Sequence, residues 1–241
     1  MCGRYVSPDD AAIEREFNLI RSPGLDIGPN FNVAPTQMVP VVRTVDGVRQ
    51  LSRMRWGLVP FFAKGVPGPY STINARIETI ETSASYRGPW QRGQRCIIPA
   101  AGFYEWHLNE DGKKQPFYIR AVNQEVHGYA GLWDSSKRDD GVVIESCTIV
   151  TMPANPMMAE IHNAPGKQRM PVILRREDYD AWLSGSLDEA RAVLKQYPAD
   201  EMLAWPVSPV VNSPKNDNPK LIDRLDAIVS PNPYQRHVPE V

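Results

Sequence analysis

The 241-residue sequence predicts an α+β fold, a curled antiparallel sheet flanked by helices. Three observations point there. Stretches rich in β-branched and aromatic residues follow one another directly, joined by turn dipeptides rather than by helices. Helical patterns are few and cluster late in the chain. Prolines number 23, about twice the ~5% of average usage, and they are scattered ("VPFFAKGVPGP", "SPVVNSPKNDNP"), which fits long ordered loops. No internal repeat or linker divides the chain, so residues 1–241 read as a single domain.

Taken in order, "SPDDAAIEREFNLI" reads as a helix capped by Ser7, with Pro8 in the first turn and Ile13, Phe17 and Ile20 as an apolar stripe. "QMVPVVRTVDGVRQLSRMRWG" reads as two strands around an Asp46-Gly47 turn. "CIIPAAGFYEWHLNEDGKKQPFYIRA" reads as a strand, a turn at Pro99 and a hairpin closing near Asp111-Gly112. "VHGYAGLWD" and "VVIESCTIVTMP" are two further strands. Asn155 and Pro156 open a short helix, a polar loop follows, and a strand runs from Met170 to Leu174. "REDYDAWLSG" is a helix that Gly185 can end. "SLDEARAVLKQY" begins with the capping-box spacing Ser186…Glu189 and carries Leu187, Ala190, Val193, Leu194 and Tyr197 on one face. "LAWPVSPVV" is the last strand.

The totals exclude several classes. Hydrophobic content of 42% and charged content of 23% are those of a soluble globular protein. No apolar run approaches the ~18 residues of a membrane span. "SPDD" follows almost at once on the N-terminus, unlike a signal peptide, so the expectation is a cytoplasmic protein without membrane partners. Three dispersed cysteines without CxxC spacing and four dispersed histidines predict neither a disulfide framework nor a metal site, and no cofactor motif is present. The net charge of −1 hides an asymmetry: residues 1–95 hold twelve Lys/Arg against eight Asp/Glu, and residues 96–241 hold fifteen against twenty. From Arg43 to Arg95 there are nine basic residues and three acidic ones, Asp46, Glu78 and Glu81. That stretch is either a local basic groove for a polyanion or a solvated Arg-rich face.

Candidate chemistry starts at "MCGRY". Removal of the initiator Met would leave Cys2 with an α-amine and a thiol on adjacent carbons, a 1,2-aminothiol that no internal cysteine can present; the alternative is a cysteine that fell near the end by chance. "STINARIET" puts Asn74 and Arg76 on one face of an extended segment, suited to a phosphate or sugar, or else simply polar positions of an edge strand. In "AGFYEWH", Glu105 lies between Tyr104 and Trp106; a carboxylate among aromatics loses hydration, its pKa rises, and it can act as a general acid unless it merely bonds an amide or an arginine. His162 of "EIHNAPGKQRMP" lies just past a short helix, where it can titrate near neutrality or serve as a surface or capping group. "RWGLVPFF" combines Arg55, Trp56, Phe61 and Phe62, suited to stacking on unpaired bases or to core packing.

"MCGRY", "NVAPTQ", "RWGLVP", "INAR", "CIIPAAGFYEW", "IHNAPGKQRMPVIL" and "PVSPVVNSPKNDNPKLI" occur in that order, and together they resemble the SRAP family, the SOS response-associated peptidase or abasic-site processing proteins. The resemblance spans almost the whole chain. It implies a single α+β domain with a bifurcated, partly barrel-like, mostly antiparallel sheet. It implies binding of single-stranded DNA and a covalent crosslink between the N-terminal cysteine and an abasic site, in the DNA-damage and SOS response. By its motifs Cys2 is the nucleophile, supported by Asn74, Glu105 and His162. Arg4, Arg76 and Arg169 hold the DNA backbone, and Phe62 falls where relatives place an aromatic wedge, with Trp56 beside it. Three departures stand out: a longer loop, "NAPGKQ", between His162 and Arg169; Ala84 near where some relatives carry a DNA-contacting arginine, with Arg87 as its substitute; and Phe62 in place of a larger Trp.

The chemistry implied is condensation of the ring-opened abasic sugar's aldehyde with the aminothiol, first to an imine and then to a thiazolidine. The imine stage also allows β-elimination, so abasic-site lyase activity is a secondary expectation. Two rivals use the same residues differently: an N-terminal-cysteine thiol peptidase, as the family's name records, and a non-catalytic single-strand binder. The expected protein is a monomer, cytoplasmic and nucleoid-associated when on DNA.

Overall fold

The computed structural model describes residues 2–19, 27–68, 71–122, 124–166 and 168–225. The first part of the chain forms β1 (Tyr5–Ser7), α1 (Asp10–Phe17), β2 (Asn30–Val33), β3 (Met38–Val45), β4 (Val48–Trp56), β5 (Asn74–Arg76) and α2 (Arg87–Gln91). Five strands follow: β6 (Arg95–Ala100), β7 (Gly102–Leu108), β8 (Lys114–Ala121), β9 (His127–Lys137) and β10 (Val143–Pro153). The remainder holds α3 (Pro156–Ile161), β11 (Arg169–Pro171), β12 (Ile173–Leu174), α4 (Tyr179–Ser184), α5 (Leu187–Ala192) and β13 (Met202–Pro206). Among the described residues no helix is long and apolar enough to cross a membrane.

The expected α+β architecture is present, with a mostly antiparallel, partly closed sheet. Strands run β4-β3-β6-β9-β10, and a parallel pairing of β10 with β4 (Ser146 with Arg55, Cys147 with Trp56) brings the two ends together as a five-stranded barrel. β9 must pass close under β6 for this closure. A Cβ at Gly131 would run into Ile98 and a Cβ at Gly128 into Ile97, so glycine is required at both. A second sheet runs β13-β8-β7-β1-β2. The chain steps from barrel to second sheet in one residue, Ala101, whose N–H donates to Val6 O at 2.9 Å.

The fork lies in β10. Residues Val143 to Ile149 pair with β9, whereas Ile149 to Thr151 pair with β5 and Thr151 to Pro153 with β11. Inward aromatics from β1, β4, β7 and β9 pack in the core: Tyr5 meets Trp56 edge-on at 5.3 Å between ring centroids and Tyr129 at 6.2 Å, and Phe103 meets Tyr129 at 6.1 Å. Buried aromatics in such contacts contribute about 0.5–1.5 kcal/mol each beyond area burial.

Local expectations were met where turn chemistry decides. Asp46 and Gly47 take positive φ of 50° and 77°, the left-handed pair that a two-residue hairpin needs. Asn155 caps α3 by accepting from Met158 N, and the Ser186/Glu189 capping box of α5 is complete. Where tertiary pairing competes, the outcome differs. Ser7 is claimed by β1, so the cap of α1 is Asp9, which accepts from Ala12 N at 2.8 Å. Ile13 and Phe17 are buried as expected, and Ile20 lies outside the described residues. Pro99 sits within β6, where its fixed φ suits extended backbone, and the break comes at Ala101. The strand expected from Met170 to Leu174 is split at Val172, whose N–H donates to Val150 O and whose carbonyl accepts from Ala130 N, each at 2.9 Å; this residue crosses from one side of the fork to the other. α5 ends at Ala192, short of Leu194 and Tyr197.

Candidate active site

Cys2 precedes β1, which is held between β2 and β7. The cysteine is wholly buried, with Sγ 4.0 Å from Arg4 O. Asn74 starts β5 and donates from Nδ2 to Cys2 O at 2.9 Å. Tyr86 fixes Asn74 in turn, its hydroxyl donating to Asn74 O at 3.1 Å. Four groups from four distant stretches of sequence meet here, the other two being Glu105 and His162.

Glu105 lies in β7 and is buried, as is His162, the residue that ends α3. His162 Nδ1 stands 3.6 Å from Glu105 Oε2. What holds the pair together is Asn163, which sequence reasoning missed. Its side-chain oxygen accepts from Leu108 N and its Nδ2 donates to Leu108 O, both at 2.9 Å, so the amide pairs with the end of β7 as another strand would. His107 Nδ1 adds a contact to Glu160 O at 2.9 Å. The longer loop beyond His162 therefore leaves the histidine anchored to the strand that carries Glu105.

The electrostatics follow from burial. Loss of solvent raises the Glu105 carboxyl to about 7, while a hydrogen bond from the Trp106 backbone pulls the other way. Burial drives the Cys2 thiol upward as well, the charge of Glu105 adds to that, and the contact to the Arg4 backbone opposes it. The site thus holds a protonated thiol beside a carboxyl poised to give or take a proton near neutrality.

The residues expected to meet DNA divide. Phe62, in the 3-10 turn Phe61–Ala63, is exposed at 54%, and so is Phe61 at 55%, edge-on to it at 5.5 Å. Arg76 and Arg87 are exposed. Arg4 is half-buried and rooted, donating to Asn32 Oδ1 at 2.8 Å and Val211 O at 2.9 Å. Arg169 is buried, its guanidinium spanning both Glu78 oxygens at 2.8 Å and Thr151 O at 2.8 Å. Trp56 requires a correction: it is 0% exposed inside the barrel, its Nε1 donating to Ile73 O at 3.0 Å, so its ring cannot stack on a base.

The aromatic turn is bolted down by side chains that sequence reasoning also missed. Asp134 accepts from Phe61 N at 2.9 Å, Ser136 from Gly65 N at 2.8 Å and Ser146 from Val59 N at 2.7 Å. Arg92 bridges Asp134 at 3.2 Å and covers the Phe61 ring at 5.1 Å. The available signal was polar residues at inward positions of β9 and β10.

An α+β barrel with a buried cysteine next to the N-terminus, a buried carboxyl–imidazole pair and an exposed aromatic turn defines the class of fold and site. The chain belongs to the SOS response associated peptidase (SRAP) family, whose model matches residues 1–214. It is 38% identical over 229 residues to the abasic site processing protein YoqW of Bacillus subtilis, covering 92% of this chain and 99% of that one. It is 31% identical over 228 residues to the abasic site processing protein HMCES of Gallus gallus, covering 80% of this chain and 66% of that one. Crystal structures of proteins from Bordetella bronchiseptica (TM-score 0.75, 29% identity, 86% of this chain and all of that one) and Bacteroides thetaiotaomicron (0.77, 26%, 93% and all) share the fold.

Proposed function

We propose that this protein captures abasic sites in single-stranded DNA by condensing their aldehyde with the α-amine and thiol of Cys2, after removal of Met1, into a thiazolidine. The observation that carries this reading is the convergence at Cys2: its carbonyl accepts from Asn74, and its buried thiol feels the charge of Glu105, which pairs with His162. It is supported by the relatives named abasic site processing proteins.

The amine attacks the aldehyde carbon, one amine proton passing to the oxygen to give a carbinolamine. Glu105, protonated below about 7, donates to the departing hydroxyl, water leaves, and an iminium remains. The resulting Glu105 carboxylate takes the thiol proton as Sγ bonds the iminium carbon. The ring closes with a neutral N–H, Glu105 regains its proton, and the net loss is one water. His162 steadies the transient carboxylate and relays protons in the reverse direction; Asn74 fixes the Cys2 backbone so that both nucleophiles face one carbon. Exposed Phe62, Arg76 and Arg87 receive bases and phosphates, giving salt-dependent, sequence-independent affinity. Arg4, rooted on Asn32 and the Val211 carbonyl, adds a further cation for the DNA backbone. The protein acts as a monomer at the DNA.

The peptidase reading finds less support. A thiol peptidase needs a cysteine biased toward thiolate, and burial biases Cys2 the other way. The test is intact mass under denaturing conditions after incubation with a single-stranded oligonucleotide bearing one abasic site. The expected species is protein lacking Met1 plus DNA minus one water, absent from Cys2→Ala; an adduct that persists in Cys2→Ala overturns the reading.

A further inference from the structure

Within the basic stretch from Arg43 to Arg95, the acidic residues are Asp46, Glu78 and Glu81. Asp46 occupies the turn between β3 and β4, and Glu81 pairs with Arg191 at 3.0 Å. Glu78 alone faces the arginines beside the candidate site. It follows Arg76 by two residues and Asn74 by four. Its two oxygens fill the fork of Arg169 at 2.8 Å each, and the fork's remaining donors go to Thr151. The Arg169 side chain is 10% exposed and that of Glu78 45%, so the carboxylate lies on the solvent side of the guanidinium. Arg169, with Arg76 adding to it, holds the Glu78 carboxyl below the usual range, and Glu78 is charged at neutrality. Among the described residues Arg76 makes no ion pair, which leaves one open cation and one occupied.

Resting on the function proposed above, we propose that Glu78 is a specificity-determining residue: a tethered anion that occupies the Arg169 fork in place of a phosphate and keeps intact single strands weakly held. A phosphate reaching Arg169 has to displace a bidentate, charge-assisted partner that is always present at the site. Undamaged DNA offers only phosphates and bases, so it gains nothing from that fork. An abasic strand is retained by its bond to Cys2 instead, and discrimination between the two follows from weakening the non-covalent term they share.

The arithmetic is direct. Each phosphate neutralised on a single strand adds about 0.7 to the slope of log affinity against log salt, so one further contact is worth about eightfold at 50 mM salt and about fourfold at 150 mM. The experiment is equilibrium binding of a fluorescent single-stranded oligonucleotide without an abasic site, across that salt range, to the full chain and to Glu78→Gln, Glu78→Ser and Glu78→Asp. Both neutral variants are expected to bind several-fold tighter with a steeper slope, and Glu78→Asp to behave as the unaltered chain. Two neutral variants of different size guard against a folding defect in either. Unchanged or weaker binding with the original slope in a folded neutral variant overturns the proposal and makes the Glu78–Arg169 pair structural. Adduct formation with an abasic oligonucleotide is followed in parallel on the unaltered protein. No adduct, with tighter binding in Glu78→Gln, sinks the capture chemistry and leaves Glu78 as a tethered anion that weakens strand binding without discriminating abasic DNA; an adduct without tighter binding does the reverse.

Discussion

The floor of the candidate site and its rim are both rigid, by opposite means. Cys2, Asn74, Glu105 and His162 are all buried, and what matters there is the missing solvent, which raises the carboxyl and keeps the thiol protonated. Phe61 and Phe62 are more than half exposed and owe their position to hydrogen bonds that the backbone N–H groups around them donate to Asp134, Ser136 and Ser146. On the function proposed above, the floor tunes proton affinity by excluding water, and the rim meets a flexible polyanion with side chains already in place. Chemistry and affinity are therefore separable by mutation.

The sharpest separation comes from Glu105→Gln. Crosslinking is expected to slow by about 10²–10⁴ with binding of intact single strands unchanged, read from single-turnover adduct formation beside an equilibrium titration. The pH behaviour sharpens it. In the unaltered protein the rate should fall as pH rises through about 7, because the acid is lost. Stability should move with it: a carboxyl whose folded pKa is raised favours the folded state below its unfolded value near ~4.3, and that contribution, about 3 kcal/mol, disappears as pH climbs to about 7. Urea unfolding at pH 5 and pH 8 measures the difference, and Glu105→Gln should flatten it.

The rim gives the next effect. Replacing Phe61 and Phe62 together by Ala should weaken single-strand binding by about 1–3 kcal/mol per stacked base, without altering the melting temperature or the adduct rate at saturating DNA. A loss of melting temperature would show that the aromatic pair belongs to the core rather than to a binding face. The smallest effect tests the join between regions. Asn163→Ala removes two hydrogen bonds to Leu108, each worth about 1 kcal/mol, and frees the end of α3 from β7. Adduct formation should slow about tenfold, with its pH midpoint shifted because His162 no longer sits against Glu105; a slower rate with an unmoved midpoint would make Asn163 merely structural.

Much of this was legible in the sequence, for local reasons. The Asp46-Gly47 hairpin, the Asn155 cap and the Ser186/Glu189 box are decided by residues that touch one another in sequence. Cys2, Asn74, Glu105 and His162 stood out by residue type and by family resemblance, and the fold brings them together. For Trp56 the sequence leaves base stacking and core packing open, yet the pattern contains the answer: Arg53-Met54-Arg55-Trp56 alternates polar and apolar, and a period of two sends Trp56 inward with Met54. The fork of β10, the split at Val172 and the strand-like grip of Asn163 were not legible, because each depends on partners that only the folded topology supplies.

The burial of Cys2 also sets a clock on biosynthesis. β1, which draws the cysteine inside, is pinned on one side by β7, and the last residue of β7 is Leu108. On the aminothiol reading, whatever precedes Cys2 must be trimmed while the nascent chain is still short of that strand. At about 5–20 residues per second, translation of the intervening stretch leaves roughly 5–20 seconds in which the processing enzyme has an open substrate. If the capture function proposed above holds, the fraction of molecules able to react is then decided at the ribosome, before the fold closes over the cysteine.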